Sequence, residues 1–419
     1  MPLSRKQFEQ LPVFITSMSR WDGDVSSASL SLAKVLSRSN KVYYIDYPYS
    51  WADVWRERHK PTVKRRLPAL LYGKDILNPV PGQSPNFIGA TPRPVLPIYS
   101  LPAGALYDWC SHINNTILAR LVKRINQQMG HSQYIFLNSF NPAYLSNVDK
   151  YLQPALSIYH SRDAIEEVPG HGLTKENECV QHYNLAMATA RQLCRNISQR
   201  NNKQVAYFPN GGDINLFKTA ITHTLHKPEE LKHINTPIIG YTGAICQRIN
   251  YELLVKIAAA HQDKTIVMVG PRQDKEFTQI NLDAIPNIMF TGPKKIDQLP
   301  AYLQHFDCTI IPFKKNNLTG GIYPLKINEY LAAGKAVVTT NFSEDINGFA
   351  NDVFMAASED EFLQLITSAI ASNNAAVQQQ RLMAAATNSW ENRLELFREL
   401  TWQAYQEKLG QSTKKLIAV

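Results

Sequence analysis

The sequence predicts an α/β protein built as two doubly wound lobes, and three observations predict it. Short runs rich in Val and Ile alternate with helix-length stretches almost throughout the chain. Several runs are continuously apolar, as parallel strands buried on both faces require. The runs also fall into two series, 13–18, 42–46, 134–138, 156–159 and 205–208, then 238–241, 265–269, 288–290, 308–311 and 336–339. A polar, aperiodic stretch over 217–237 separates them and reads as an inter-domain connection.

Strands alternating with helices imply right-handed βαβ units. The first lobe is expected over 1–216 and the second over 217–388. A C-terminal helix should follow over 389–419, with Ser389 as N-cap and Leu394, Phe397, Leu400 and Trp402 among its apolar positions. Ligands of open parallel sheets sit outside the carboxyl ends of the strands. Two such lobes can face each other across a cleft, each holding one substrate.

Composition narrows the function classes. At 44% hydrophobic and 19% charged residues, the 419-residue chain can bury sizeable cores. No apolar run approaches the roughly 18 residues that span a bilayer, and residues 13–18 are too short for a signal-peptide core. The expected location is therefore the cytoplasm. Cys110, Cys179, Cys194, Cys246 and Cys308 are scattered and never form C-x-x-C, which points away from a disulfide framework or a zinc site. A net charge of +9 admits nucleic acid, an anionic membrane surface or phosphorylated small molecules as partners. Zinc-finger spacing and RNP-type aromatics are missing, so nucleic acid is not expected.

The chemistry concentrates in residues 308–340. A strand at Cys308 leads through a loop to Gly320 and Gly321, and a helix is expected from Ile322 to Ala333, with Pro324 in its first turn and Gly334 as its C-cap. Glycines let backbone amides approach a ligand, and a helix N-terminus presents about half a positive charge. Lys326 opposes that dipole unless an anion neutralises it. Glu329 is one turn further on, on the same face, and a carboxylate there suits two vicinal hydroxyls of a ribose. The same spacing also suits a surface ion pair.

The run from Pro324 to Thr340, PLKINEYLAAGKAVVTT, closely resembles the donor-site motif of group 1 bacterial glycosyltransferases of the GT-B fold. It is most similar to the branch of teichuronic-acid and exopolysaccharide enzymes. Tyr241-Thr-Gly-Ala-Ile245, Val269-Gly-Pro271, Phe290-Thr-Gly-Pro293 and Pro209-Asn-Gly-Gly-Asp213 resemble further family segments. The resemblance implies two Rossmann-like domains, a C-terminal helix returning to the first lobe, and hexosyl transfer with retention of configuration. It assigns Glu329 to the donor ribose, Lys326 to the diphosphate and Gly243 to a close backbone approach. Two positions depart from the family. Gly321 stands where many relatives carry a second glutamate, and Ile249 stands where many carry a basic residue, with Arg248 adjacent. No cofactor is expected beyond the nucleotide sugar as co-substrate, and no metal.

In the first lobe, Asp22 and Gly23 follow a strand and should border the acceptor side of the cleft, although turn and capping chemistry explains Asp24 equally well. Tyr159-His-Ser-Arg-Asp163 follows another strand. Asp163 is the first candidate for the catalytic base and His160 the second; a local Arg162–Asp163 pair is the alternative. From Trp51 to Lys74, aromatic residues alternate with Arg56, Arg58, Lys60, Lys64, Arg65 and Arg66. That composition suits the interface of an anionic membrane, or a solvated loop. Relatives acting on lipid-linked acceptors favour the membrane. The expected activity is transfer of a sugar from a nucleoside diphosphate to a hydroxyl acceptor, carbohydrate or lipid-linked, in surface polysaccharide or glycolipid assembly. The rivals are an epimerase and a non-catalytic nucleotide-sugar binder. No G-x-G-x-x-G opens a helix after an expected strand, which argues against a dinucleotide oxidoreductase.

Overall fold

Two parallel sheets organise the chain in a computed structural model that describes residues 2–23, 27–165 and 171–417. The first sheet holds β1 (Val13–Ser17), β2 (Val42–Ile45), β3 (Leu77–Pro79), β4 (Phe87–Ala90), β5 (Ile135–Ser139), β6 (Leu156–Ser161), β7 (Leu185–Ala188) and β8 (Ala206–Tyr207). Their order is β3-β4-β2-β1-β5-β6-β7-β8, and only the β3–β4 pair is antiparallel. Every residue of β1, β2, β5 and β6 is buried, which is why these strands read as unbroken apolar runs. β3, β4 and β7 were not expected: β3 is Leu-Asn-Pro, and β4 and β7 are four-residue runs that include Gly or Ala, weak strand formers. β3 is a partly exposed edge strand ending in Pro79, where a missing N–H costs no ladder bond.

The second sheet holds β9 (Ile238–Thr242), β10 (Thr265–Val269), β11 (Ile288–Gly292), β12 (Cys308–Ile311), β13 (Val337–Thr340) and β14 (Phe354–Ala356). Its order is β11-β10-β9-β12-β13-β14, all parallel. Strand order reverses between β9 and β12, and between β1 and β5 in the first sheet. Crevices outside the carboxyl ends at such reversals are where open α/β sheets bind ligands.

The chain divides into two compact units, one of residues 1–209 with everything from Leu394 on, the other Asn210–Arg393. The division falls seven residues before the expected 216/217 boundary, because Ile214 and Phe217 are buried in the second core. The stretch expected as a plain connection carries the short helix Thr219–Thr222 and the 3-10 turn Glu229–Leu231 and belongs to that unit. The last helix runs Trp390–Ile417. Within the first unit its Phe397 ring lies 5.8 Å from Phe208 and Tyr405 stacks on Phe8 at 4.6 Å. Lys408 Nζ donates to the carbonyls of Pro154 and Ala155 at 3.0 and 2.9 Å. Asp24 and the expected helix start at Val25 lie outside the described residues; the helix is described over Ala28–Leu36.

Candidate functional site

The strand-order reversal of the second sheet gathers glycines, a lysine and a glutamate. β9 ends at Thr242, whose N–H donates to the buried Tyr330 hydroxyl at 2.8 Å. That bond ties the helix Leu325–Ala332 to the strand end. Gly243 follows with φ 136°, and Gly270, after β10, has φ 151°. A Cβ on Gly270 would overlap the Gly243 carbonyl, and one on Gly243 would overlap Lys326 Nζ and Cε. Both positions need glycine for backbone angle; Gly270 needs it for space as well, while a Cβ on Gly243 would displace the Lys326 ammonium.

Lys326 and Glu329 are partly buried on the helix Leu325–Ala332, whose N-terminus has no side-chain cap. The surface pair allowed by their spacing does not form: among the described residues neither has an ion-pair or hydrogen-bond partner. Lys326 Nζ instead lies over the Tyr241 ring, 5.7 Å from its centroid. Loss of water around the ammonium pulls the Lys326 pKa below the lysine range. Glu329 opposes that fall, and the Arg248 guanidinium adds to it. The same loss of water raises the Glu329 pKa, against the pull of Lys326 and with the repulsion of Asp213. Partly desolvated opposite charges that satisfy neither each other nor the backbone are costly. A ligand with an anionic end and hydroxyl groups would offset that cost.

The glycines before the helix behave differently from expectation. Gly320 ends a short helical turn, Asn317–Gly320, capped by the Asn316 side chain, and its N–H donates to Asn316 O at 2.9 Å. Gly321 has φ −80°, open to any residue. The helix starts at Leu325 with Pro324 as N-cap, three residues later than expected. Neither glycine uses the left-handed backbone, so the close approach belongs to Gly243 and Gly270. Ile249 is fully buried, so the cation beside Lys326 is Arg248. Tyr241, Tyr330 and Asp213 lie in family-like segments, but the sequence assigned none of them a role. Only their three-dimensional proximity marks them, since each lies in an ordinary strand, helix or capping position.

In the first unit, Asp22 is tied down. Both its oxygens accept from Arg66 at 2.7 Å, and Arg66 bonds Asp46 through Nε and Nη2 at 2.8 and 3.0 Å. Thr91 Oγ1 also donates to Asp46 at 2.8 Å. Asp22 thus belongs to an ion-pair network, and Arg66, fully buried, is withdrawn from the surface-facing basic set. Gly23 closes a turn, donating to Arg20 O at 3.1 Å. His160, at the end of β6, is buried with neither ring nitrogen hydrogen-bonded. Burial, reinforced by Arg162, pushes its pKa down to about 3. That makes it a poor base at neutral pH, but an unpartnered buried imidazole is open to a ligand's hydrogen bond. Asp163 is partly buried, and its charge acts on Arg162, whose Nε also lacks a partner.

Residues 236–372 match the profile of the family Glycosyl transferases group 1. Over 107 residues the chain is 34% identical to the putative teichuronic acid biosynthesis glycosyltransferase TuaH of Bacillus subtilis. That match spans 25% of this chain and 26% of the relative. Among solved structures, a glycosyltransferase from Rickettsia africae aligns over 96% of this chain and 99% of its own, with a TM-score of 0.63 at 15% identity. Anabaena HepE in complex with UDP and glucose aligns over 93% and 99%, at TM-score 0.61 and 16% identity. Sucrose-phosphate synthase from Thermosynechococcus elongatus aligns over 98% and 100%, at TM-score 0.59 and 13% identity. These likenesses establish the GT-B fold over nearly the whole chain.

Proposed function

We propose that this GT-B chain, whose second unit is a group 1 glycosyl transferase domain, transfers a sugar from a nucleoside diphosphate to a hydroxyl acceptor in cell-surface polysaccharide or glycolipid assembly. The observation that carries the reading is the unpaired Lys326–Glu329 couple on one helix turn, beside the Gly243–Gly270 contact at the strand-order reversal. In this reading Lys326 and Arg248 neutralise the diphosphate, which is the leaving group, and Glu329 holds the ribose hydroxyls. Fixed cations aimed at charge that grows during bond breaking lower the barrier without reorganisation. Gly243 and Gly270 let the backbone close on the phosphates. The likenesses to a teichuronic acid enzyme and to a protein bound to UDP and glucose support this donor class.

On the acceptor side the reading keeps Asp163 as the base. His160, held neutral by burial, offers a sugar hydroxyl one ring N–H and one bare nitrogen, neither of which has a hydrogen-bond partner among the described residues. Among the described residues no helix is long and apolar enough to cross a membrane. Peripheral attachment at the inner membrane face rests on the helices Trp51–Glu57 and Pro61–Leu67 and the π-helical turn Pro68–Tyr72. Trp51, Trp55 and Tyr72 are 52%, 71% and 70% exposed there, among surface cations.

A screen of nucleotide sugars by thermal unfolding tests the donor assignment. A true donor at about 100 times its Kd stabilises by about 2.7 kcal/mol. The expected result is one nucleotide class that stabilises the protein and is converted to nucleoside diphosphate when acceptor is present. Conversion of the sugar without acceptor would indicate an epimerase, and stabilisation without turnover a binder.

A further inference from the structure

The first unit holds a cavity of about 460 Å³ that the donor chemistry does not use. It is bounded by the π-helical turn, the chain after β4 and the helix Ala105–Gln128. Leu70, Ile76 and Leu121 are buried in its wall. Arg120 and Arg124, one helical turn apart, line it together with Arg93. Gly73, with φ 64°, makes the turn that brings them together. A Cβ there would lie 3.3 Å from Arg93 Nε and 3.6 Å from Arg124 Nη1, so both guanidinium groups converge on one point. Arg124 Nη1 donates to Gly73 O at 2.9 Å, which fixes that side chain and leaves its other N–H groups free to donate.

Among the described residues, none of these three arginines has a carboxylate at ion-pair distance. Three like charges on one cavity repel, and a bound anion removes the repulsion. Guanidinium forks match phosphate oxygens in pairs, and several together suit a doubly charged phosphate better than a singly charged one. The rim is different in kind. Trp51 and Leu71 line the cavity yet are 52% and 40% exposed, and Tyr72 adjoins them. A soluble phosphate has no use for an apolar, aromatic rim, whereas a membrane interface does.

We propose that this arginine-lined cavity is a binding site for the phosphate headgroup of a membrane lipid, with Arg93, Arg120 and Arg124 on the phosphate and Trp51 and Leu71 in the interface. The proposal rests on the peripheral-membrane part of the functional reading. It adds selectivity for phosphate to an attraction that a diffuse basic patch would exert on any anionic surface.

Vesicle co-sedimentation separates the two. Phosphatidylcholine vesicles carrying phosphatidic acid are compared with vesicles carrying phosphatidylserine at equal surface charge. The intact protein is expected to bind the phosphatidic acid vesicles about 10-fold more tightly. Arg120→Gln/Arg124→Gln should abolish that preference and leave salt-sensitive binding to both. Lys64→Gln/Arg65→Gln should weaken both equally and keep the preference. Equal binding to both vesicles by the intact protein, or a preference that survives in the arginine double variant, overturns the headgroup site while leaving membrane attachment standing. No binding to either vesicle at low salt overturns both. Thermal stabilisation by inorganic phosphate that needs Arg120 and Arg124, without any vesicle preference, assigns the cavity to a soluble phosphate and overturns the lipid. Donor binding in the second unit is measured in parallel and should be unchanged in every variant.

Discussion

Charged side chains follow the carboxyl ends of strands in both sheets, and the two sets are wired differently. In the first unit, Arg66 is fully buried and shared between Asp22 and Asp46, with Thr91 completing the set. In the second, Lys326 and Glu329 are partly buried, close enough to shift each other's pKa, and unpaired. The contrast separates charges satisfied within the fold from charges left unsatisfied by it. A buried ion whose partners are all protein groups is structural. A desolvated ion left without one carries a cost that persists only where function repays it.

Removing each set should therefore break different properties. The largest effect is expected for Arg66→Met, which strands Asp46 in the core. The first unit should lose about 3–5 kcal/mol, roughly 10 °C of its unfolding midpoint, with donor binding to the second unit retained. Lys326→Met should do the reverse. Transfer should fall by about 10²–10³-fold, as for loss of one preorganised charge donor. The unfolding midpoint should hold or rise, because an unpaired desolvated ammonium has been removed. Steady-state kinetics and a melting curve on the same preparation read both.

How far the sequence carries is uneven, and this pair of variants shows why. Lys326 and Glu329 were legible because they lie three residues apart on one helix behind a distinctive run. Arg66 was not. In sequence it is one of six basic residues near three aromatics, and nothing local says that it alone folds inward to meet Asp22 and Asp46, 44 and 20 positions away. The strands buried on both faces were readable as apolar runs; β3, β4, β7 and β14 are three or four residues long and were not, with Gly, Ala, Asn or Pro diluting their strand character. The helix start was misplaced because Asn316, capping a separate turn, intercepts the chain before Pro324. Gly320 and Gly321 drew attention as a pair, yet neither has a positive φ, whereas Gly243 and Gly270, each alone after a strand, do.

Smaller effects sharpen the comparison. Glu329→Ala should weaken donor binding by about 10- to 100-fold, as loss of charge-assisted hydrogen bonds to two hydroxyls implies, with the fold intact. Equilibrium titration with the nucleotide reads this. The smallest effect is one of pH. In the proposed reading the diphosphate favours the protonated Lys326, whose pKa in the free protein lies below the usual lysine value because burial disfavours the charge. Donor affinity should therefore fall as pH rises through that depressed value, at lower pH than an exposed lysine would produce. Lys326→Arg, whose charge persists, should show a flatter profile over the same range.

In the proposed reading the unpaired Lys326 serves the donor, while the paired charges around Arg66 serve the fold. Calorimetric titration of the most stabilising nucleoside diphosphate into the intact protein and Lys326→Met, with an unfolding curve for each, tests it most directly. The account predicts Kd weakened by about 100-fold with the midpoint unchanged or higher. An unchanged Kd, or an affinity loss that comes with a fall in stability like that of Arg66→Met, would contradict it.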